Sequence, residues 1–329
     1  YLSFWLNQQW FNGTLFSYHL VNFVIHLLNG ILIYRLVVLL TAYFSIGLTA
    51  KQKKVLPLIV VAFWLLHPLN IQAVTYVVQR TAALVTLFVV LATLSYLKLR
   101  LDKFSFIQCL VLILAIICGA LTKQNFFVFF IFIALFEYYF IASSKRLLRN
   151  FIFLSIFVTA LVYPFCEDFF QVLSRLTKET TAISRFDYFN SQLLVLWQYI
   201  YKLFLPINLQ LDMGVELVKE STGVHFLAFI AHGILISFAI IQRNKYPLVS
   251  LGLLWFYAGH SIESFLIPIT DLAFEHRTYL PNIGLILAIV AMTLYAKVNA
   301  KFIVIITGLI AVLLTILTFQ RNTLWQTPY

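Results

Sequence analysis

The chain has 329 residues, of which 62% are hydrophobic and only 11% charged, with a formal net charge of +11. Soluble domains carry about 25% charged residues, so the composition excludes an ordinary water-soluble enzyme and points to lipid as the solvent. The positive excess does not describe a nucleic-acid binder either. The basic residues fall in short clusters between apolar runs, as the positive-inside rule gives, and build no continuous basic face.

A crossing takes about 20 predominantly apolar residues. Ten segments meet or approach this, at 19–43, 54–67, 80–98, 104–121, 125–142, 151–165, 225–241, 247–262, 282–296 and 302–319. The predicted fold is therefore an all-α, polytopic transmembrane helix bundle, with 1–329 as a single domain. Alternate connections differ in charge. One set holds Lys51, Lys53, Lys54, Lys98, Arg100, Lys103, Lys145, Arg146, Arg149, Arg243, Lys245, Lys297 and Lys301, against one acid, Asp102. The other holds ten of the twelve acids, all within 166–224 and 263–281. The first set is expected in the cytoplasm and the second outside it. Span one then runs inward, and parity implies a further span before Tyr1. Both ends of the chain read as cut.

The polar residues inside this apolar framework are taken in chain order. Asn12-Gly13-Thr14 reads as a turn or a glycosylation sequon. Span one carries His19, Asn22, His26 and Asn29 at spacings of three, four and three, a single helix face. That stripe serves interhelical hydrogen bonds or faces a substrate. Span two is short and ends at His67-Pro68, and a residue before proline leaves helical geometry. Irregular backbone at that depth is tolerated where it lines a cavity or is buried in protein. The chain then re-enters with Gln72, Thr75, Tyr76 and Gln79 on one face. Arg80 beside them is either an anchor reaching to the headgroups or a phosphate ligand.

Lys123, in LTKQN, is a turn residue or a charge lining the same outer cavity. Glu137 reads as an interfacial anchor. The segment RFDYFNSQLLVLWQYIYKLFLPINLQLDMG reads as an amphipathic helix in the interface, stopping at Pro206 before an acidic turn at Asp212. The three cysteines, Cys109, Cys118 and Cys166, lack metal-ligand spacing, and a free Cys in an apolar run behaves as a small hydrophobe. EHRTYLP places Glu275, His276 and Arg277 at the mouth of span nine. They form an exposed ion pair of little worth, or a phosphate grip in which Arg277 supplies the planar fork and Glu275 orients it. No P-loop, nucleophile elbow, H-E-x-x-H or paired CxxC occurs.

Four segments, YHLVNFVIHLLNGILIY, LLHPLNIQAVTYVVQRTAALVTLFVV, LTKQN and EHRTYLPNIGL, stand in an order and spacing that resembles multispanning glycosyltransferases of the GT-C type. The nearest resemblance is to the transmembrane, TPR-containing protein O-mannosyltransferases and their bacterial TPR-bearing relatives. It covers essentially the whole chain. The resemblance implies transfer of a sugar, mannose in those relatives, from a polyprenyl-phosphate carrier to an extracytoplasmic acceptor such as a protein hydroxyl. It implies a bacterial inner-membrane location with the site facing the periplasm, a catalytic acid in a loop before Tyr1, and a TPR region after Tyr329. The expected partners are the polyprenyl-phosphate-linked sugar, an acceptor protein or glycan, and membrane lipids, with no nucleic acid. No cofactor is required, and a divalent metal is left open.

Carrier phosphate or sugar is expected at His67, Arg80, Lys123, Glu275, His276, Arg277 and Tyr279, with Gln72, Tyr76, Gln79 and Asp212 lining the cavity. One departure from the pattern is Gln124, where the relatives carry an acid. Two rival readings stand beside the transferase: a transporter or flippase of lipid-linked sugar, and a non-catalytic membrane anchor of a TPR domain.

Overall fold

Thr14, Thr49, Ser105 and Ser184 each precede a helix, and each side chain accepts a bond from a backbone N–H in the first turn. Such caps satisfy donors that the helix itself leaves open. Pro247 and Pro281 open two further helices, where a missing N–H costs nothing. The computed structural model describes residues 2–45, 47–137, 183–218, 220–296 and 298–326. The sixth predicted span, the part of the fifth beyond 137, Cys166, Lys297 and the Lys145 cluster lie outside the described residues.

The described residues are helical, with no strand among them. The helices are α1 (Leu2–Phe11), α2 (Leu15–Phe44), α3 (Ala50–Leu66), α4 (Ile71–Thr75), α5 (Arg80–Leu101), α6 (Phe106–Ala120) and α7 (Val128–Leu135). After 183 come α8 (Arg185–Phe204), α9 (Gly223–Ile241), α10 (Pro247–His260), α11 (Pro281–Tyr295) and α12 (Ala300–Thr323). Each predicted span that lies wholly among the described residues coincides with one helix. On length and apolarity, four stretches are able to cross a membrane: Leu15–Phe44, Val77–Leu101, Gly223–Asn244 and Phe302–Thr323. A fifth forms if α3 is joined to Pro68–Thr75 across a bend of 55°. The bend falls at His67, whose backbone is extended (ψ 127°), as the following proline requires.

α10 is buried along all of its residues, the mark of a helix apolar on every side. At 14 residues it is about 21 Å long at 1.5 Å per residue, a central pillar and not a lipid-facing rod. It packs most closely on α11, where two glycines meet. A Cβ on Gly252 would lie 2.4 Å from the Gly284 carbonyl oxygen, so only glycine permits this backbone approach. By contrast, the membrane-length stretch of α12 is 6% buried. α12 packs on α3, on the turn Pro68–Asn70 and on α4.

Polar contacts sort by end as the charge pattern predicts. At the basic end, the Tyr43 hydroxyl meets Asp102, Gln52 donates to the Leu294 carbonyl, and Tyr96 and Arg100 donate to Glu137. At the opposite end, Thr75 donates to Asn322, Lys123 pairs with Glu263, and the His276 N–H donates to Gln72.

Candidate functional site

The end opposite the basic clusters is built where three helices break. α3 stops at Leu66 and gives way to the turn Pro68–Asn70, α4 and a second turn, Val77–Gln79. α6 stops before the turn Gln124–Phe127, and α10 passes into a π-helical turn, Ser261–Leu266. Single π turns are frequent at functional sites, and this one carries Glu263, an acid that the sequence reading did not select.

Glu263 is the centre of a buried charge cluster. Lys123 Nζ lies 2.5 Å from its Oε1, and Asn125 Nδ2 lies 3.4 Å from Oε2. Burial alone would raise the Glu263 carboxyl, but Lys123 and Arg277 outweigh it and bring it down to about 2. Burial, reinforced by the Lys123 charge, pushes the His276 imidazole well below its ordinary value, so the ring is neutral at pH 7. Lys123, Asn125, Glu263, His276 and Arg277 line one cavity of about 10 Å³, which Tyr279 also borders. That is room for one water, and far too little for a sugar phosphate.

The EHRT segment is a 3-10 turn, Glu275–Thr278, with all four residues buried. The exposed Glu275–Arg277 pair is therefore corrected: the two side chains diverge. Glu275 accepts from the Gln210 N–H at 2.6 Å and faces Arg321 Nη2 at 3.4 Å, and burial pushes its carboxyl up to about 7. Arg277 donates to the Asp271 and Leu272 carbonyls.

Arg80 departs furthest from expectation. It is fully buried, and all three guanidinium nitrogens donate within the protein, to Asn22, Ser3, Asn7 and Tyr18. The ring of Phe4 lies 4.5 Å beneath it. It neither reaches for headgroups nor offers a free fork, and it ties α1 and α2 to α5. His67, expected near Arg80 and Lys123, instead donates from Nε2 to Leu203 O and accepts the Leu69 N–H. Gln72 is buried between His276 and Leu211. Tyr76 stacks on Trp325 with ring centres 5.7 Å apart, because the chain turns extended at Tyr76 (ψ 103°) and breaks the single face expected for Gln72, Tyr76 and Gln79. Asp212 is exposed and accepts the Gly214 N–H. Among the described residues no group of three or more His, Cys, Asp or Glu is arranged to hold a metal ion.

Ligand-sized space lies elsewhere at this end. A groove of about 520 Å³ runs between α2 and α12, floored by the end of α3, the turn after it and α4. This is within the roughly 300–1,000 Å³ of small-molecule sites. Phe23, Leu65, Ile71, Val74 and Phe319 form its apolar wall. Most of its polar residues are already satisfied. His26 Nε2 donates to Leu65 O at 3.1 Å, and Nδ1 accepts the Tyr279 hydroxyl at 2.7 Å. Carbonyls only accept, which sets these roles. Thr318 donates to Leu66 O and Thr75 to Asn322. His19 is the groove histidine with no hydrogen-bond partner among the described residues. The groove therefore presents a mostly apolar interior, with His19 and the unpartnered Asn70 Oδ1 in its lining.

The Tyr279 hydroxyl links the two features, since Tyr279 borders the small cavity and its partner His26 lines the groove. Lys123, His276, Arg277 and Tyr279 are thus gathered around Glu263, while His67 lies in the groove and Arg80 in neither. The reading from residues missed Glu263 and the α12 wall. The available signals were an acid just beyond a predicted span, and Thr315 and Thr318 in the last one with Asn322 just beyond it, at helical spacing.

No family model, no curated protein and no solved structure matches this chain.

Proposed function

We propose that the protein is a GT-C-type membrane glycosyltransferase that moves a sugar, mannose by its resemblance, from a polyprenyl-phosphate carrier to a protein hydroxyl outside the cytoplasm. The observation that carries this reading is the groove between α2 and α12. It is mostly apolar inside, bordered by a helix largely exposed to lipid, and open at the end away from the basic clusters. A prenyl chain enters such a groove sideways from the bilayer without crossing water. The ten-span topology, with this end facing outside, completes the reading.

The transfer asks little covalent chemistry of the chain. The acceptor hydroxyl oxygen attacks the anomeric carbon, the bond to the phosphate oxygen breaks, and the phosphate leaves with the electron pair and takes up the hydroxyl proton. Lys123 and Arg277 put positive charge behind the groove wall, where a fixed field favours negative charge developing on the leaving group. The cavity beside them is too small for bulk water, so that field is weakly screened.

The test is transfer by the full-length protein in proteoliposomes, with radiolabelled polyprenyl-phosphate mannose and a Ser/Thr peptide acceptor. Wild type labels the peptide, and Val74→Trp, which fills the groove, lowers the rate at least tenfold while thermal unfolding is unchanged. Movement of the intact lipid-linked sugar between leaflets without peptide labelling would replace this reading with a flippase. Neither activity would leave an anchor.

A further inference from the structure

Among the described residues the groove lining contains no charged side chain, so an anionic occupant must be met by a cation at its edge. The obvious cations at this end are committed. Arg80 donates through all three nitrogens, Arg277 is held by two carbonyls, and Lys123 is paired with Glu263. Arg321, in the last turn of α12, is different. Its side chain is only 10% exposed, yet Nε has no hydrogen-bond partner among the described residues. Nη1 donates to the Leu209 carbonyl. Nη2 reaches Glu275 at 3.4 Å, at the long limit of a hydrogen bond.

Nε and Nη2 form the side-on edge of a guanidinium, the edge that matches two oxygens of a phosphate. In Arg321 this is the underused edge. Arg321 does not itself line the groove, but it adjoins two residues that do. Its central carbon lies 5.8 Å from the Trp325 ring, and both Trp325 and the adjacent Asn322 line the groove. Lys202, which donates to Asn208 O, feels the charges of both Glu275 and Arg321. Two cations therefore face one carboxylate at this place.

Resting on the transferase reading above for the identity of the occupant's chain, we infer that Arg321 is the phosphate-receiving group of the groove. An amphipath lying along α12 places its phosphate on the Nε–Nη2 edge, and Glu275 is the carboxylate it displaces. Arg277, the residue selected from the sequence, is not that group.

The test is binding to the full-length protein in phosphatidylcholine nanodiscs, with farnesyl phosphate, farnesol and inorganic phosphate as separate probes. Wild type should bind farnesyl phosphate at least tenfold more tightly than farnesol. Arg321→Gln should erase that difference, and Arg321→Lys should lose most of it although the charge is kept. Glu275→Gln should tighten farnesyl phosphate by removing the competing carboxylate. The double variant Glu275→Gln/Arg321→Gln leaves the Glu275–Arg321 pair with no unpaired buried charge, which guards the test against a folding defect of the single change, and it should also bind both lipids alike.

Undiminished phosphate preference in the folded Arg321 variants would overturn the assignment. Inorganic phosphate binding as tightly as farnesyl phosphate would show a soluble-ion site and overturn the lipid source. Loss of sugar transfer as an activity, with phosphate preference intact, would sink the transferase reading and leave Arg321 in this role.

Discussion

Lys123 and Glu263 meet through their side chains across two separate breaks, the turn after α6 and the π-helical turn after α10. Neither residue sits on a regular helix, and each is placed by the chain leaving one. Breaking a buried pair by removing one partner typically costs about 3–5 kcal/mol, while replacing both is far cheaper. Lys123→Met and Glu263→Gln should each lower thermal stability strongly in detergent. The double variant should recover more than half of the sum of the two losses. Additive losses would show that the two charges are held independently.

Glu275 predicts a pH effect of opposite sign to that of most carboxylates. Its native value is raised from the ordinary 4.5 to about 7 by burial. Between those values the unfolded chain has released the proton that the native state still holds. Stability therefore falls as pH rises through this window. Glu263, held at about 2, contributes stability that is lost only as pH falls below about 4.5, outside the window. His276 acts against Glu275 below about 6.5, because its native ring resists the proton that the unfolded ring accepts. The difference between wild type and Glu275→Gln isolates the effect. From pH 5 to 8 the wild-type midpoint should fall relative to the variant, and parallel curves would contradict the shift.

The glycine crossing of α10 and α11 makes a steric prediction. A Cβ on Gly284 would lie 2.5 Å from the Gly252 carbonyl oxygen and 2.6 Å from the Trp255 Cβ. Overpacking of this kind costs roughly 1–3 kcal/mol, which outweighs the gain of about 1 kcal/mol from alanine in a helix. Gly308, in α12, has nothing within 4 Å of the same position. Gly284→Ala should therefore lower the unfolding midpoint, and Gly308→Ala should leave it unchanged or raise it.

The two-ended arrangement predicts a labelling pattern. In a background without native cysteine, single cysteines at Lys53 and Arg243 should resist an impermeant thiol reagent added outside intact cells. Those at Asp212 and Asn322 should react. Labelling of Lys53 and Asp212 from the same side would defeat the topology.

Much of the framework was readable from the residues. Helix positions follow from apolar runs and from local stops such as Thr49 before α3 and His67-Pro68 after it, and these act over a few residues. Of the stripe His19, Asn22, His26 and Asn29, readable as an interhelical face, the last three bond another helix or the chain beside it, and His19 has no hydrogen-bond partner among the described residues. The sorting of polar contacts to two ends follows from charge counts in the connections.

Partnership was decided only in three dimensions. Arg80 and Lys123 look alike in sequence as single cations near an apolar run. One is consumed by Asn7, Asn22 and two carbonyls, and the other by an acid far along the chain. Glu275 and Arg277 are sequence neighbours, yet a 3-10 turn sends them to different partners. α12 reads as a plain lipid-facing span, and its role as a groove wall depends on where its last turns come to rest against α3 and α4. The physical reason is the same in each case. Periodicity, caps and proline act locally and set where a helix runs, but the rotation and crossing of helices set which side chains meet. Those are fixed by packing between distant segments, as where Gly252 and Gly284 bring α10 and α11 together.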